Sequence, residues 1–425
     1  MKLRALVMLA LGASLAGADS APTSGNCFTL VNLGLVRTLV PRVGVPRAIA
    51  FSPDGARLAV GGSNGSVCLY SSAGWKPQAR TPEAPSDCVA LAFSPEGLRL
   101  AVAHISGSLR IWSVVRGKYE SEFQAAKQLS DVTWAADGAS VVACGAEGLL
   151  LRVDVLRGAG PVSFALPADT WVLAVALSPD GKRIATSHSD GSLRILDGAT
   201  AAELKRVTGL HAAAQALAFS PDGRKLAASD VEHRPVLVDA ATGAVDREFP
   251  GHADTVRDVR FSPDGRHLVS ASEDLTLKVW RSDPKARGAA VTLKHHTGGV
   301  TRLAMTRNGR YLASLADDYQ VKIWGTVPGG MAAARPKGYL GVKVDTDAGR
   351  CMVLEVLPGL PAEGAGILAG EILVAVDGEP VASREEAIQQ IGVHGEGEEV
   401  EMEIKSAAGV GRKIKVRLGK RPENP

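Results

Sequence analysis

His252, Ser270 or Ser272, and Asp274 fall within one stretch of the chain, and His296, Ser314 and Asp318 repeat the set further on. These are the residue types of a hydrolase: a serine nucleophile, an imidazole base and a carboxylate that orients it. A GxSxG pattern at 61–65 points the same way. Three features count against catalysis. Each set ends on a tryptophan, Trp280 or Trp324, and the sets recur at a repeat interval, as a folding device does. The GxSxG segment aligns with the tight turn at 271–275 of a later repeat, and strand-like rather than helical sequence follows it, whereas a nucleophile elbow needs a helix. No residue is therefore assigned a catalytic role. Cys27, Cys68, Cys88, Cys144 and Cys351 form no CxxC pair, so no metal site is expected, and no cofactor is implied.

The elements that must position these residues are internal repeats. Phe51, Phe93, Trp134, Leu177, Phe219, Phe261 and Met305 each open a five-residue turn that closes on Gly55, Gly97, Gly138, Gly181, Gly223, Gly265 and Gly309. The step is about 42 residues, the length of one four-stranded propeller blade. Most copies read Ser-Pro-Asp-Gly: Pro presets φ, Asp bonds back to the backbone and Gly takes the left-handed corner. Around the sixth turn, apolar Val256, Val259 and Phe261 are separated by Arg257, Asp258 and Arg260, the pattern of a half-buried strand. Four short strands per copy follow from the turn spacing. After Trp324 the sequence turns to Gly325-Thr-Val-Pro-Gly-Gly330, which cannot supply a fourth strand, while 28–40 offers a strand with no partner in its own copy. The expected closure places that N-terminal strand in the seventh blade, which removes exposed edges.

This pattern resembles the WD40-repeat family. The sixth copy opens with Gly251-His252 and closes with Val279-Trp280. The resemblance implies an all-β seven-bladed propeller over 28–326 and a buried network within the best blades. That network would use His252, Ser270, Asp274 and Trp280, and again His296, Ser314, Asp318 and Trp324. The other five copies depart from the motif.

Residues 327–336 read as a linker, small and Gly/Ala-rich and closed by Pro336. The segment beyond is richer in Asp and Glu than in Lys and Arg; the rest of the chain is the reverse. It reads as strands with a short helical turn at 361–366, a hairpin turn at Asp377-Gly378, and a helix from Arg384 to Ile391 with Ser383 and Glu386 as a capping box. The pieces GYLGV, PGLPAEGAGILAGEILVAVDGEPV and SREEAIQQI resemble bacterial PDZ domains, notably those of the high-temperature-requirement serine proteases, in a small α+β domain over 337–421. The resemblance implies capture of a C-terminal or extended peptide. Backbone N–H groups of Tyr339, Leu340, Gly341 and Val342 would hold the carboxylate, the strand through Lys343 and Val344 would pair with the peptide, and one face of the helix, from Ala387, Ile388 and Ile391, would line the pocket, the sequence leaving open which of them face the groove and which the core.

Lys and Arg total 48 against 45 Asp and Glu, a net charge of +3, which argues against a dedicated nucleic-acid binder. Residues 1–18 have the form of a secretory signal peptide: Lys2 and Arg4, then an uncharged apolar run too short to span a bilayer, then Ala16-Gly17-Ala18. Export with cleavage near Ala18 is expected, with no transmembrane segment; without cleavage the chain would stay cytoplasmic. The resulting function is a non-catalytic scaffold with protein partners. Two alternatives are a propeller enzyme of hydrolase or lactonase type and a sensor that regulates a separate envelope protease.

Overall fold

A computed structural model describes residues 33–326 and 339–419, apart from breaks at 159, 165, 167–168, 208–212, 230–232, 284–285, 287, 348–349, 392–396 and 407–408. The leader, Cys27 and the linker lie outside the described residues.

Seven four-stranded antiparallel sheets follow one another along the chain. In the sixth blade the strands are Val256–Phe261, His267–Ser272, Leu277–Arg281 and Ala289–Leu293, from inside to outside. The repeated turn works as its residues dictate. Ser52 donates to Asp54, its hydroxyl accepts the Arg57 N–H at 2.9 Å, Asp54 accepts the Ala56 N–H at 3.0 Å, and Gly55 sits at φ +69°. Ser178, Ser220 and Ser262 repeat this with Asp180, Asp222 and Asp264.

The propeller core lies between blades rather than within one sheet. Leu69, Leu100 and Trp112 fill the boundary of blades one and two; Val269, Leu312 and Trp324 fill that of six and seven. Each fully buried leucine contributes on the order of 2 kcal/mol relative to exposure. The seventh blade is completed by Leu33–Leu39, which pairs antiparallel with Val321–Thr326, Leu33 opposite Thr326 and Leu39 opposite Val321. Leu39 then packs with Ile49 and Leu315 across the junction of the last and first blades.

Two carboxylates staple neighbouring blades, one buried and one partly buried. Asp258 is fully buried on the inner strand of blade six; one oxygen accepts the Val259 N–H and the other accepts the Leu303 N–H of blade seven, both at 2.8 Å. Asp131 does the same from blade three, accepting Val132 N–H at 2.9 Å and Val175 N–H of blade four at 3.0 Å. Burial pushes the Asp131 carboxyl up, against the pull of those two amides and of Arg260 and Arg302 from blades six and seven.

The C-terminal sheet has the order Val342–Asp347, Arg350–Val356, Ile372–Val376, Glu399–Lys405, Gly411–Arg417, with Glu379–Pro380 paired beside the third strand. Helix Pro361–Gly364 and helix Arg384–Ile391 close it over a core that includes Leu340, Leu373, Met402 and Ile404. Among the described residues no helix is long and apolar enough to cross a membrane.

Candidate functional site

The serine–histidine–aspartate sets assemble, but inside the blades. His252 Nδ1 lies 2.8 Å from Asp274 Oδ2, its Nε2 lies 2.7 Å from Ser270 Oγ, and Trp280 Nε1 donates to the same hydroxyl at 2.8 Å. Blade seven repeats the arrangement with His296, Asp318, Ser314 and Trp324 at 2.9, 2.8 and 2.9 Å. The assignment that satisfies every polar atom is a neutral imidazole: Nδ1–H to the carboxylate, Ser O–H to Nε2, indole N–H to Ser Oγ. Burial lowers the His252 pKa despite the adjacent Asp274. For Asp274, burial alone would raise the carboxyl, but bonds from Thr276, Ala253 N–H and His252 outweigh it and hold it at about 2. Ser270 and Ser314 are fully buried, so no substrate reaches them. Ser63, in the GxSxG segment, sits in the turn between Arg57–Gly62 and Val67–Ser71, where its hydroxyl accepts the Val45 N–H at 2.9 Å.

The departing blades show what the network replaces. Val102 holds the serine position of blade two, and Trp112 Nε1 has no hydrogen-bond partner among the described residues. In blade four, Thr186 and Thr170 hold His188 from both ring nitrogens, at 3.0 and 3.3 Å.

The C-terminal domain carries an open groove. Val342–Asp347 is an edge strand, paired on one side only, with helix Arg384–Ile391 alongside. At the head of this strand the chain is held by its carbonyls. Tyr339 and Gly419 exchange backbone bonds at 2.8 and 3.1 Å, the Leu340 carbonyl accepts Ala362 N–H at 2.9 Å, and the Gly341 carbonyl accepts Leu357 N–H at 2.8 Å. A trans peptide sets N–H opposite C=O. With both carbonyls turned inward, the Gly341 and Val342 amides face the open edge. Gly341 is required here: its φ is +84°, and a Cβ would lie 2.4 Å from Leu360 Cβ. The far end of the groove is bridged by Arg384 N–H donating to Thr346 Oγ1 at 2.8 Å.

Of the residues read as peptide-binding, Tyr339, Leu340, Gly341, Val342, Lys343 and Val344 lie along this loop and edge. Leu340 is buried and anchors the loop; Lys343 pairs with Glu355 at 2.7 Å. Ile388 is 56% exposed, whereas Ile391 and Ala387 pack in the domain core. The sequence left open which of the three face the core: Ala387 and Ile391 do, while Ile388 is exposed. Residues four apart share a helix face, so Ala387 and Ile391 form the inward stripe; Ile388 stands about 100° round from Ala387, at its rim. The capping box forms with one change: Ser383 Oγ accepts Glu386 N–H at 3.2 Å, while the Glu386 carboxylate reaches Ala382 N–H rather than that of Ser383.

Sequence reasoning missed the Asp131 and Asp258 staples, although an acid at the third position of the inner strand, before Val, recurs in blades three and six. It also missed a contact between the two domains: Arg37, on the closing strand, lies 3.1 Å from Glu398 and 3.5 Å from Asp377.

These features define a WD40 propeller followed by a PDZ domain. The WD domain, G-beta repeat family matches residues 35–71, 162–197, 243–281 and 289–325, and the PDZ domain family matches 338–415. Residues 75–137 match the anaphase-promoting complex subunit 4 WD40 domain. The chain therefore carries WD40 repeats and a PDZ domain in one polypeptide, two modules that generally serve protein interaction. Among curated proteins, none matches the chain.

Proposed function

We propose that this protein is a non-catalytic scaffold in which the propeller is a docking platform and the PDZ domain captures C-terminal or extended peptides by strand addition. The observation that carries the reading is the pair of amides at Gly341 and Val342 turned toward an unpaired strand edge. A terminal carboxylate satisfies those donors, and the peptide behind it satisfies the edge of Val342–Asp347. Ile388 and the half-buried Val342 and Val344 offer the apolar contacts for the terminal side chain. The Arg384–Thr346 bridge bounds the groove to about the last four or five residues of a ligand, given roughly 3.3 Å per strand residue. On the same reading the protein works outside the cytoplasm after loss of residues 1–18, and N-terminal sequencing of the mature protein that found Met1 would exclude this.

The test is a library of peptides with free C-termini offered to the full chain, each paired with its C-terminal amide. Selective binding of free acids supports the proposal. Equal binding of acids and amides, or none of either, removes the carboxylate loop from it.

A further inference from the structure

The backbone of the edge strand fixes the register of any strand added to it. The Gly341 carbonyl accepts Leu357 N–H, so it points into the sheet. Along a strand, both backbone groups of one residue face one side and those of the next residue face the other. Val342, Val344 and Thr346 therefore offer N–H and C=O to the open edge, while Lys343 and Asp345 turn theirs to the neighbouring strand Arg350–Val356. A terminal carboxylate on the Gly341 and Val342 amides puts the last residue of a ligand opposite Val342 and the penultimate one opposite Lys343. The third from last falls opposite Val344 and the fourth from last opposite Asp345. Residues directly opposite each other share a face of the sheet. Val342 and Val344 are half-buried against the domain core, so the last and third-from-last side chains enter the apolar side of the groove. The penultimate and fourth-from-last side chains lie beside the exposed Lys343 and Asp345.

These two charges differ in what they already hold. Lys343 pairs with Glu355, its opposite number on the neighbouring strand, at 2.7 Å. Asp345 stands opposite Met352 and makes no ion pair among the described residues. Asp347, the next acid on that face, has Arg350 opposite it. The Asp345 carboxylate accepts Thr346 N–H at 2.8 Å, and that amide belongs to the open edge. The carboxylate is thereby held on the line along which a ligand strand lies. It also occupies the donor that the fifth residue from the ligand's end would use, so strand pairing stops short of that residue and the fourth passes beside Asp345.

We infer that Asp345 selects C-terminal segments with Lys or Arg at the fourth residue from the end, and that the penultimate residue is not selected by charge because Glu355 has neutralised Lys343. The inference rests on the peptide-capture reading and specifies its ligand. A cation directly opposite a lone exposed carboxylate is favoured and an anion disfavoured, on the scale of one cross-strand charge pair, a factor of about two to five in affinity.

The probe is a set of short peptides with an apolar last residue and a free C-terminus, identical except for Lys, Gln or Glu at the fourth-from-last or the penultimate position. Each is paired with its C-terminal amide and titrated into the full chain. At the fourth-from-last position the wild type should bind Lys about two- to fivefold more tightly than Glu, and the gap should narrow in high salt. D345N keeps an oxygen for Thr346 N–H and should abolish the preference; D345K should reverse it. E355Q frees Lys343 and should create a preference for Glu at the penultimate position. Equal affinity for Lys and Glu at the fourth-from-last position, a preference that survives D345N, or a penultimate charge preference already present in the wild type overturns the inference and leaves carboxylate capture standing. Equal binding of acids and amides, or no binding, removes peptide capture and this inference with it.

Discussion

Arg37 and Glu398 form an ion pair at 3.1 Å between the strand that closes the propeller and the PDZ domain, with Asp377 of the Asp377-Gly378 turn 3.5 Å from the same guanidinium. All three side chains are roughly a quarter exposed, and a pair in such a partly solvated contact is worth about 0–1 kcal/mol and is screened by salt. Arg37→Ala should leave the melting of the propeller unchanged but let the domains separate. Small-angle scattering should show a larger radius of gyration for the variant, and for the wild type in high salt. Profiles that superimpose under all conditions would mean that this pair does not hold the domains together.

Asp258 joins blade six to blade seven through a hydrogen bond from Leu303 N–H; it also accepts Val259 N–H in its own blade and lies 3.3 Å from the Arg260 guanidinium. Asp258→Ala leaves a buried amide and an arginine without that acceptor and should cost about 2–4 kcal/mol. Asp258→Asn keeps an acceptor for Leu303 and should cost less. Urea unfolding of the two variants reads the difference; equal losses would show that charge, not the amide bond, is what the site needs.

Acidification should destabilise the protein in two stages. Burial, followed by the nearby Arg194, holds the His188 pKa at about 4, against about 6.5 in the unfolded chain. The folded form is neutral where the unfolded form takes a proton, so the contribution is present above pH 6.5 and is lost as pH falls from about 6.5 to 4, on the order of 3 kcal/mol at most. His252 and His296 shift in the same direction. Asp274, held at about 2, adds a second loss between about pH 4 and 2. In His188→Gln the melting temperature should fall less steeply from pH 7 to 5; a slope equal to wild type would remove His188 from the account.

Gly341→Ala combines left-handed strain with a Cβ pressed against Leu360, and should destabilise the PDZ domain by about 2 kcal/mol or more. Gly359, at φ +73°, has open space around it and serves as the control for strain alone. Affinity for free-acid peptides should drop more than tenfold in Gly341→Ala and little in Gly359→Ala. Equal effects would locate the cause in loop strain rather than in the amide geometry at the groove.

The repeat made the propeller legible. Turn motifs from Gly55 to Gly309 count the blades, and counting strands after Trp324 already assigned 28–40 to the seventh. The two complete networks were legible for the same reason, since His252 and Trp280 have fixed places in the copy. Ser270 and Ser272 share a strand face, so alternation could not separate them. Depth does: Ser270 lies within reach of the Trp280 indole, while Ser272 bonds the Asp254 carbonyl at the strand end. The groove was legible where backbone conformation is written in glycine, at Gly341, and less so where helix phase decides, at Ile388 and Ile391. Contacts between distant elements, such as Arg37 with Glu398 or Asp131 with Val175, have no local pattern to announce them.

The pairing of Leu33 with Thr326 also sets a timetable. On a chain made from its N-terminus, Leu33–Leu39 emerges early and finds no partner until the last strand of the ring has been made. Joining such remote segments carries a large loop-closure entropy and makes the final step slow. Through that interval both mating strands present unsatisfied backbone edges, the feature that draws chains into aggregates. The yield of soluble protein should therefore depend less on the stability of the finished ring than on how long these two edges wait for each other.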